Sequence, residues 1–184
     1  ALYPGRRETG LCPTMQFSGE AIYLPGHEPG EASVAQRVGD YWRPYHRQLQ
    51  ASLVNIRAQH GHALLWEGHS IRSVSPMFFD GRLPDFNIGT ADGVSCTNAV
   101  QAALQDVMQV SGQSYVINGR FKGGYITRHY GQPSESISAV QMEMAQSSYL
   151  DETNSRVFDP ALAASAQSIL QALMWSALQA AARG

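Results

Sequence analysis

Between His62 and Ala182 the chain alternates runs of strand length with stretches of helical periodicity, and this alternation constrains its fold more than any other feature. HALLWE (62–67) is a short apolar run closed by Gly68, His69 and Ser70, FNIG (86–89) looks strand-like, SYVIN (114–118) follows Gly112, and ISAVQMEMA (137–145) reads as a buried strand. Between them, 97–110 carries Val100, Leu104 and Val107 at helical spacing, with Ser95 or Thr97 as cap candidates. A long final helix is predicted from Pro160 to Ala182, with Asp159 as N-cap and Pro160 in its first turn. Upstream, apolar residues from Val34 to Ile56 predict one helix from Ala32 to about His60, bent near Pro44 and closed by Gly61. The first thirty residues read as Gly- and Pro-rich loops with one short strand around Ala21 to Leu24.

Strands separated by helices predict an α/β domain with a mixed or mostly parallel sheet flanked by helices, one domain over 1–184. Only about three strands are convincing, which is thin for such a sheet. The expectation is that part of the domain lies outside this chain.

Composition narrows the partners. Hydrophobic residues make up 43% and charged residues 15%, enough apolar material for a core and no sign of disorder. The formal charge is −2 and the basic residues are scattered, which argues against nucleic acid. No apolar run is read as long enough to span a bilayer, and ALYPGRRETG lacks the apolar core of a signal peptide, so the expectation is a cytoplasmic protein with no membrane partner. Cys12 and Cys96 are too few for a disulfide scaffold or a thiolate zinc site and read as free thiols. Of 13 basic residues only Lys122 is lysine; guanidinium forks suit carboxylates, and Arg72, Arg82, Arg120 and Arg128 share one Gly-rich central region.

Three features could carry chemistry. His69 follows HALLWE inside the turn EGHSIRS, where an imidazole would project from a strand end, although spacing alone offers it no second metal ligand. Glu143 lies inside AVQMEMA and shares its parity with Gln141, so two polar groups are placed on one face of a mostly apolar strand. A buried carboxylate of this kind suits a general base. The stretch NGRFKGGYITRHYG (118–131) combines Gly119, Gly123 and Gly124, which permit close approach of a ligand, with Arg120, Lys122, Arg128 and His129. It lacks phosphate-loop spacing, and Asp85, Asn87 and Asp92 lack the Glu that a calcium loop needs.

YWRPYH (41–46), HSIRS (69–73), FDGRLPDFNIGT (79–90), NGRFKGGYITRHYGQP (118–133) and AVQMEMAQSSYLDE (139–152) closely resemble, in the same order, blocks of the N-formylglutamate amidohydrolase family. The resemblance implies a fold similar to the zinc carboxypeptidases and aminoacylases, and zinc-dependent release of formate from N-formyl-L-glutamate in a histidine degradation route. By similarity His69 is a zinc ligand, Glu143 is the catalytic base, and Arg72, Arg120 and Arg128 clamp the substrate carboxylates. Family members begin with roughly eighty more residues, a whole flank of the sheet by ordinary element lengths, with PHSG-like and DTDWH-like segments that look like sources of further ligands. Ser138 stands where members commonly have His, which implies an imidazole lost near the site. The alternatives are a non-catalytic homologue that binds small dicarboxylates or a partner chain, and a deacylase for another N-acyl amino acid. A sheet edge left open by the absent flank would favour homo-oligomers.

Overall fold

The structure, a computed structural model, describes residues 10–154 and 157–183. The chain divides into two compact units, 1–52 and 53–184.

In the first unit the expected strand around Ala21 reduces to a single bridge between Met15 and Ala21. Helix α1 (Glu31–Arg37) continues into a π-helical turn over Val38–Trp42, and α2 (Arg43–His60) begins beyond it. The bend expected at Pro44 takes this form because proline lacks an N–H and its ring crowds the carbonyl four residues earlier. Gly61, at φ +81°, closes α2 and donates its N–H to the Arg57 carbonyl at 2.8 Å.

The second unit is built on a four-stranded sheet: β1 (Ala63–Ile71), β2 (Phe86–Gly89), β3 (Tyr115–Ile117) and β4 (Ile137–Ala145), in the order β1-β4-β2-β3. β1 runs parallel to β4 and β2 parallel to β3, while β2 and β4 are antiparallel, so the sheet is mixed with mostly parallel pairings. Helices α3 (Asn98–Val110) and α5 (Pro160–Ala181) pack on each other and on one face of this sheet. Thr97 caps α3 by accepting from Val100 N, and Asp159 caps α5 by accepting from Ala161 N and Leu162 N, as the sequence predicts. Their apolar stripes meet alternate strand residues in one core: Phe86, Ile88, Val140 and Met142 from the sheet, Val100, Leu104 and Met108 from α3, and Leu173 and Ala177 from α5.

Three expectations change. β1 does not stop at Glu67: it pairs residue for residue with β4 through Ile71, so His69 is a strand residue and not part of a turn. The loop expected across 118–131 contains a short helix, α4 (Tyr125–Tyr130), too brief to show periodicity. Finally, α5 is long and apolar enough, by length and composition, to cross a membrane, contrary to the expectation that no such run exists. Its Ala163, Ala166, Leu173, Ala177 and Ala181 are buried, as in a helix that closes a core.

Candidate active site

On the face opposite α3 and α5, odd-numbered residues of β1 and β4 form a polar row. Glu67 stands beside Gln141 and His69 beside Glu143, because parallel strands in register point matching residues to one side. Asn87 of β2 pairs with Glu143 from the other flank and donates through Nδ2 to the carbonyls of Glu143 (3.1 Å) and Pro84 (2.7 Å). Its Oδ1 is buried with no hydrogen-bond partner. The strands thus bring the two leading candidates, His69 and Glu143, together at adjacent positions.

Helix α4 lies over this row. Gly124 donates its N–H to Gln141 Oε1 at 2.8 Å, and the Thr127 hydroxyl donates to Glu67 Oε2 at 2.6 Å. Glu67 Oε1 in turn lies 3.0 Å from His69 Nε2. Gly123, one of the three glycines expected to admit a ligand, makes room for the chain itself. A Cβ on Gly89 would fall 2.6 Å from the backbone of Lys122 and Gly123, and one on Gly123, which sits at φ +109°, would strike Thr127.

The electrostatics follow from this packing. Burial, the largest influence on Glu143, raises its pKa to about 7; Glu67 adds to the rise and His69 opposes it. The hydrogen bond with Glu67 raises His69, against partial desolvation. For Glu67 desolvation works upward, but the bonds from His69 and Thr127 outweigh it and the net shift is downward. The row therefore pairs an ionised carboxylate that holds an imidazole with a second carboxylate poised to gain or lose a proton near neutral pH.

The arginines sit on connecting segments. Arg72 follows β1 and donates to the Glu152 carbonyl at 3.0 Å, while the Glu152 carboxylate accepts from Ser73 N at 2.6 Å and from the Ser73 hydroxyl. The YLDE segment (149–152) is thereby tied to the end of β1, where Tyr149 also bonds Ser70 at 2.8 Å. Arg120 Nε donates to the Phe78 carbonyl at 2.6 Å, and its guanidinium lies over the rings of Phe78 and Phe121. Arg128, next to Thr127 on α4, donates through Nε to Gly123 O at 2.8 Å. Lys122 pairs with Asp92 at 3.0 Å, and His129 stacks on Tyr125.

Ser138 corrects an expectation. It is buried, but its parity turns it to the α3 and α5 face, and it lies five residues before Glu143, about 16 Å along the strand. A side chain at this position points away from the row, so a His in place of Ser138 would not add an imidazole to it. A cavity of about 390 Å³ reaches His69 from the α5 side, lined by Trp66, Met142, Met144, Tyr149 and Leu170. Its walls are largely apolar, and Glu143 is not among the residues that line it. Cys12 and Cys96 are free, and burial pushes the Cys96 thiol up to about 11.

The family model for N-formylglutamate amidohydrolase matches residues 1–150. The chain belongs to the N-formylglutamate amidohydrolase family. It is 46% identical over 178 residues to an N-formylglutamate deformylase from Pseudomonas putida, covering 96% of this chain and 66% of the relative. A deformylase of the same name from Pseudomonas aeruginosa is 45% identical over 171 residues, 92% of this chain and 64% of that protein. The chain thus spans slightly less than two thirds of the curated relatives it matches. The fold is similar to the crystal structure of the N-formylglutamate amidohydrolase from Ralstonia eutropha JMP134 (TM-score 0.68, 23% identity, 88% of this chain and 57% of that one). It is also similar to gene product Atu2144 from Agrobacterium tumefaciens (TM-score 0.61, 15% identity, 91% and 61%).

The donor chemistry of the row fits one part of a zinc site. A carboxylate on one imidazole nitrogen is the usual partner of a metal-binding histidine, and it leaves Nδ1 of His69 for the ion. Among the described residues no group of three His, Cys, Asp or Glu is placed to hold a metal.

Proposed function

We propose that this chain carries the His69–Glu143 portion of a zinc-dependent hydrolase that converts N-formyl-L-glutamate to formate and L-glutamate in the cytoplasm, within histidine degradation. The observation that carries the reading is the register of β1 and β4, which sets a buried carboxylate of raised pKa beside a carboxylate-held imidazole in a family whose curated relatives are named deformylases. The zinc carboxypeptidase-like topology expected from the sequence is part of the same proposal.

Zinc, when bound, supplies Lewis-acid polarisation of the formyl carbonyl and makes water more acidic. Among the described residues His69 is the one that would hold it. Glu143 takes a proton from the water that attacks the formyl carbon. It returns that proton to the amide nitrogen as the C–N bond breaks, so a neutral amine and formic acid leave, and the acid gives its remaining proton to solvent to become formate. Arg72, Arg120 and Arg128 are proposed to clamp the substrate's two carboxylates; Arg120 and Arg128 have guanidinium planes already aimed by Nε bonds.

The test is formate release from N-formyl-L-glutamate by this chain with added Zn2+, beside His69→Ala. Release lost in the variant supports the reading; no release from either chain rejects it for these residues. That second result would favour a non-catalytic module for small dicarboxylates, a reading consistent with the single imidazole in the row. Release from another N-formyl or N-acetyl amino acid in preference to the glutamate compound would move the substrate assignment and keep the chemistry.

A further inference from the structure

The residue that acts on His69 is one that the spacing of the sequence did not single out. We infer that Glu67, clamped by Thr127, is a positioning residue that holds His69 as the Nε2–H tautomer and so presents the Nδ1 lone pair to the site. The inference rests on the reading of His69 as a metal ligand and deepens it.

Glu67 and His69 are two apart on β1, so their side chains leave the same face. One carboxylate oxygen of Glu67 lies 3.0 Å from Nε2, and the other accepts the Thr127 hydroxyl at 2.6 Å. A carboxylate that already accepts one hydrogen bond and has no proton to donate can only accept the second, so the shared hydrogen belongs to Nε2. Thr127 has little freedom to release Glu67. It is fully buried on α4, and its methyl side abuts Gly123 so closely that a Cβ there would lie 2.8 Å away. Gly123 is itself packed on Gly89 of β2. The glycine-rich segment 118–131 thus reaches the imidazole through Thr127 and Glu67, a role distinct from gripping substrate. Half of the His69 side chain is exposed, so removing Glu67 leaves the ring nitrogens to solvent and frees the choice of tautomer.

The experiment uses the metal-free, 15N-labelled chain in chelator, above the titration of the ring, and reads the His69 ring nitrogens by long-range 1H–15N correlation. The wild type is expected to show a protonated Nε2 and an unprotonated Nδ1. Glu67→Ala should give averaged shifts from both tautomers, Thr127→Val should move part of the way, and Glu67→Gln should restore the wild-type pattern because its amide oxygen still accepts. Adding Zn2+ alone and following the same resonances should show binding about 10–100-fold weaker in Glu67→Ala. Methyl resonances of Met142 and Met144, on or beside the opposite face, report an intact sheet; were Glu67→Ala to lose them, Thr127→Val carries the test. Averaged shifts in the wild type, or a wild-type pattern in a folded Glu67→Ala, would overturn the inference. A fixed tautomer freed by Glu67→Ala, with no formate release from any variant, would keep it and discard the hydrolase reading.

Discussion

The two faces of one sheet are made from alternate residues of the same strands, yet they do opposite work. Met142 faces α3 and α5 in the apolar core, while its neighbours Gln141 and Glu143 face Asn87, His69 and α4. The apolar face gains stability by removing large side chains from water. The polar face gives some of that back, because Glu143 sits in a place that disfavours its charge and Asn87 keeps an oxygen unpaired.

That comparison can be broken most forcefully from the apolar side. Leu104→Ala empties a fully buried position between α3 and the sheet and should cost about 2–5 kcal/mol in urea unfolding. It should leave the His69 tautomer unchanged. A loss below about 1 kcal/mol would mean that this face does not carry the core.

The next effect is a dependence on pH in the metal-free chain. Glu143 holds its proton more tightly folded, near 7, than unfolded, near 4.5, so its contribution is present below about 4.5 and is lost as pH rises toward 7. Full loss corresponds to roughly 3 kcal/mol. His69 is also raised, so its contribution likewise fades as pH rises through its folded pKa. Glu67 is lowered and works the other way, losing its contribution only as pH falls below the usual carboxylate range. Stability measured in chelator should therefore decline between pH 5 and 8, and Glu143→Gln should flatten most of that slope and be the more stable chain at pH 8. A flat wild-type profile would place Glu143 in a wetter setting than this structure gives it.

The smallest effect lies at a helix end. Asp159→Ala removes the acceptor for two N–H groups of α5 and should cost about 1 kcal/mol, read as a small drop in denaturant midpoint with no change in slope.

Much of the fold is legible in the chain because its signals are local. Thr97 and Asp159 cap where a side-chain oxygen meets free N–H groups, and ISAVQMEMA is a strand over its whole length. The parity of Gln141 and Glu143 also survives into the structure as a shared face. What stays hidden depends on neighbours. Gly68 and Ser70 look like a turn by composition, and only pairing with Met142 and Met144 of β4 keeps β1 extended through them. That misplaced strand end conceals Glu67, which two-residue spacing would otherwise tie to His69. Thr127 is hidden for a related reason: α4 is six residues long and exists by packing on the sheet, not by its own pattern. The contrast with Ser138 is instructive, since a motif comparison sets it near the site while strand parity turns it away.

The most direct measurement compares wild-type chain and Glu143→Gln for formate release from N-formyl-L-glutamate with Zn2+, together with His69 ring shifts on Zn2+ addition. The account predicts release by the wild type, a fall of about 10²–10⁴-fold in the variant, and the same zinc-induced shifts in both. Turnover retained in Glu143→Gln would contradict it.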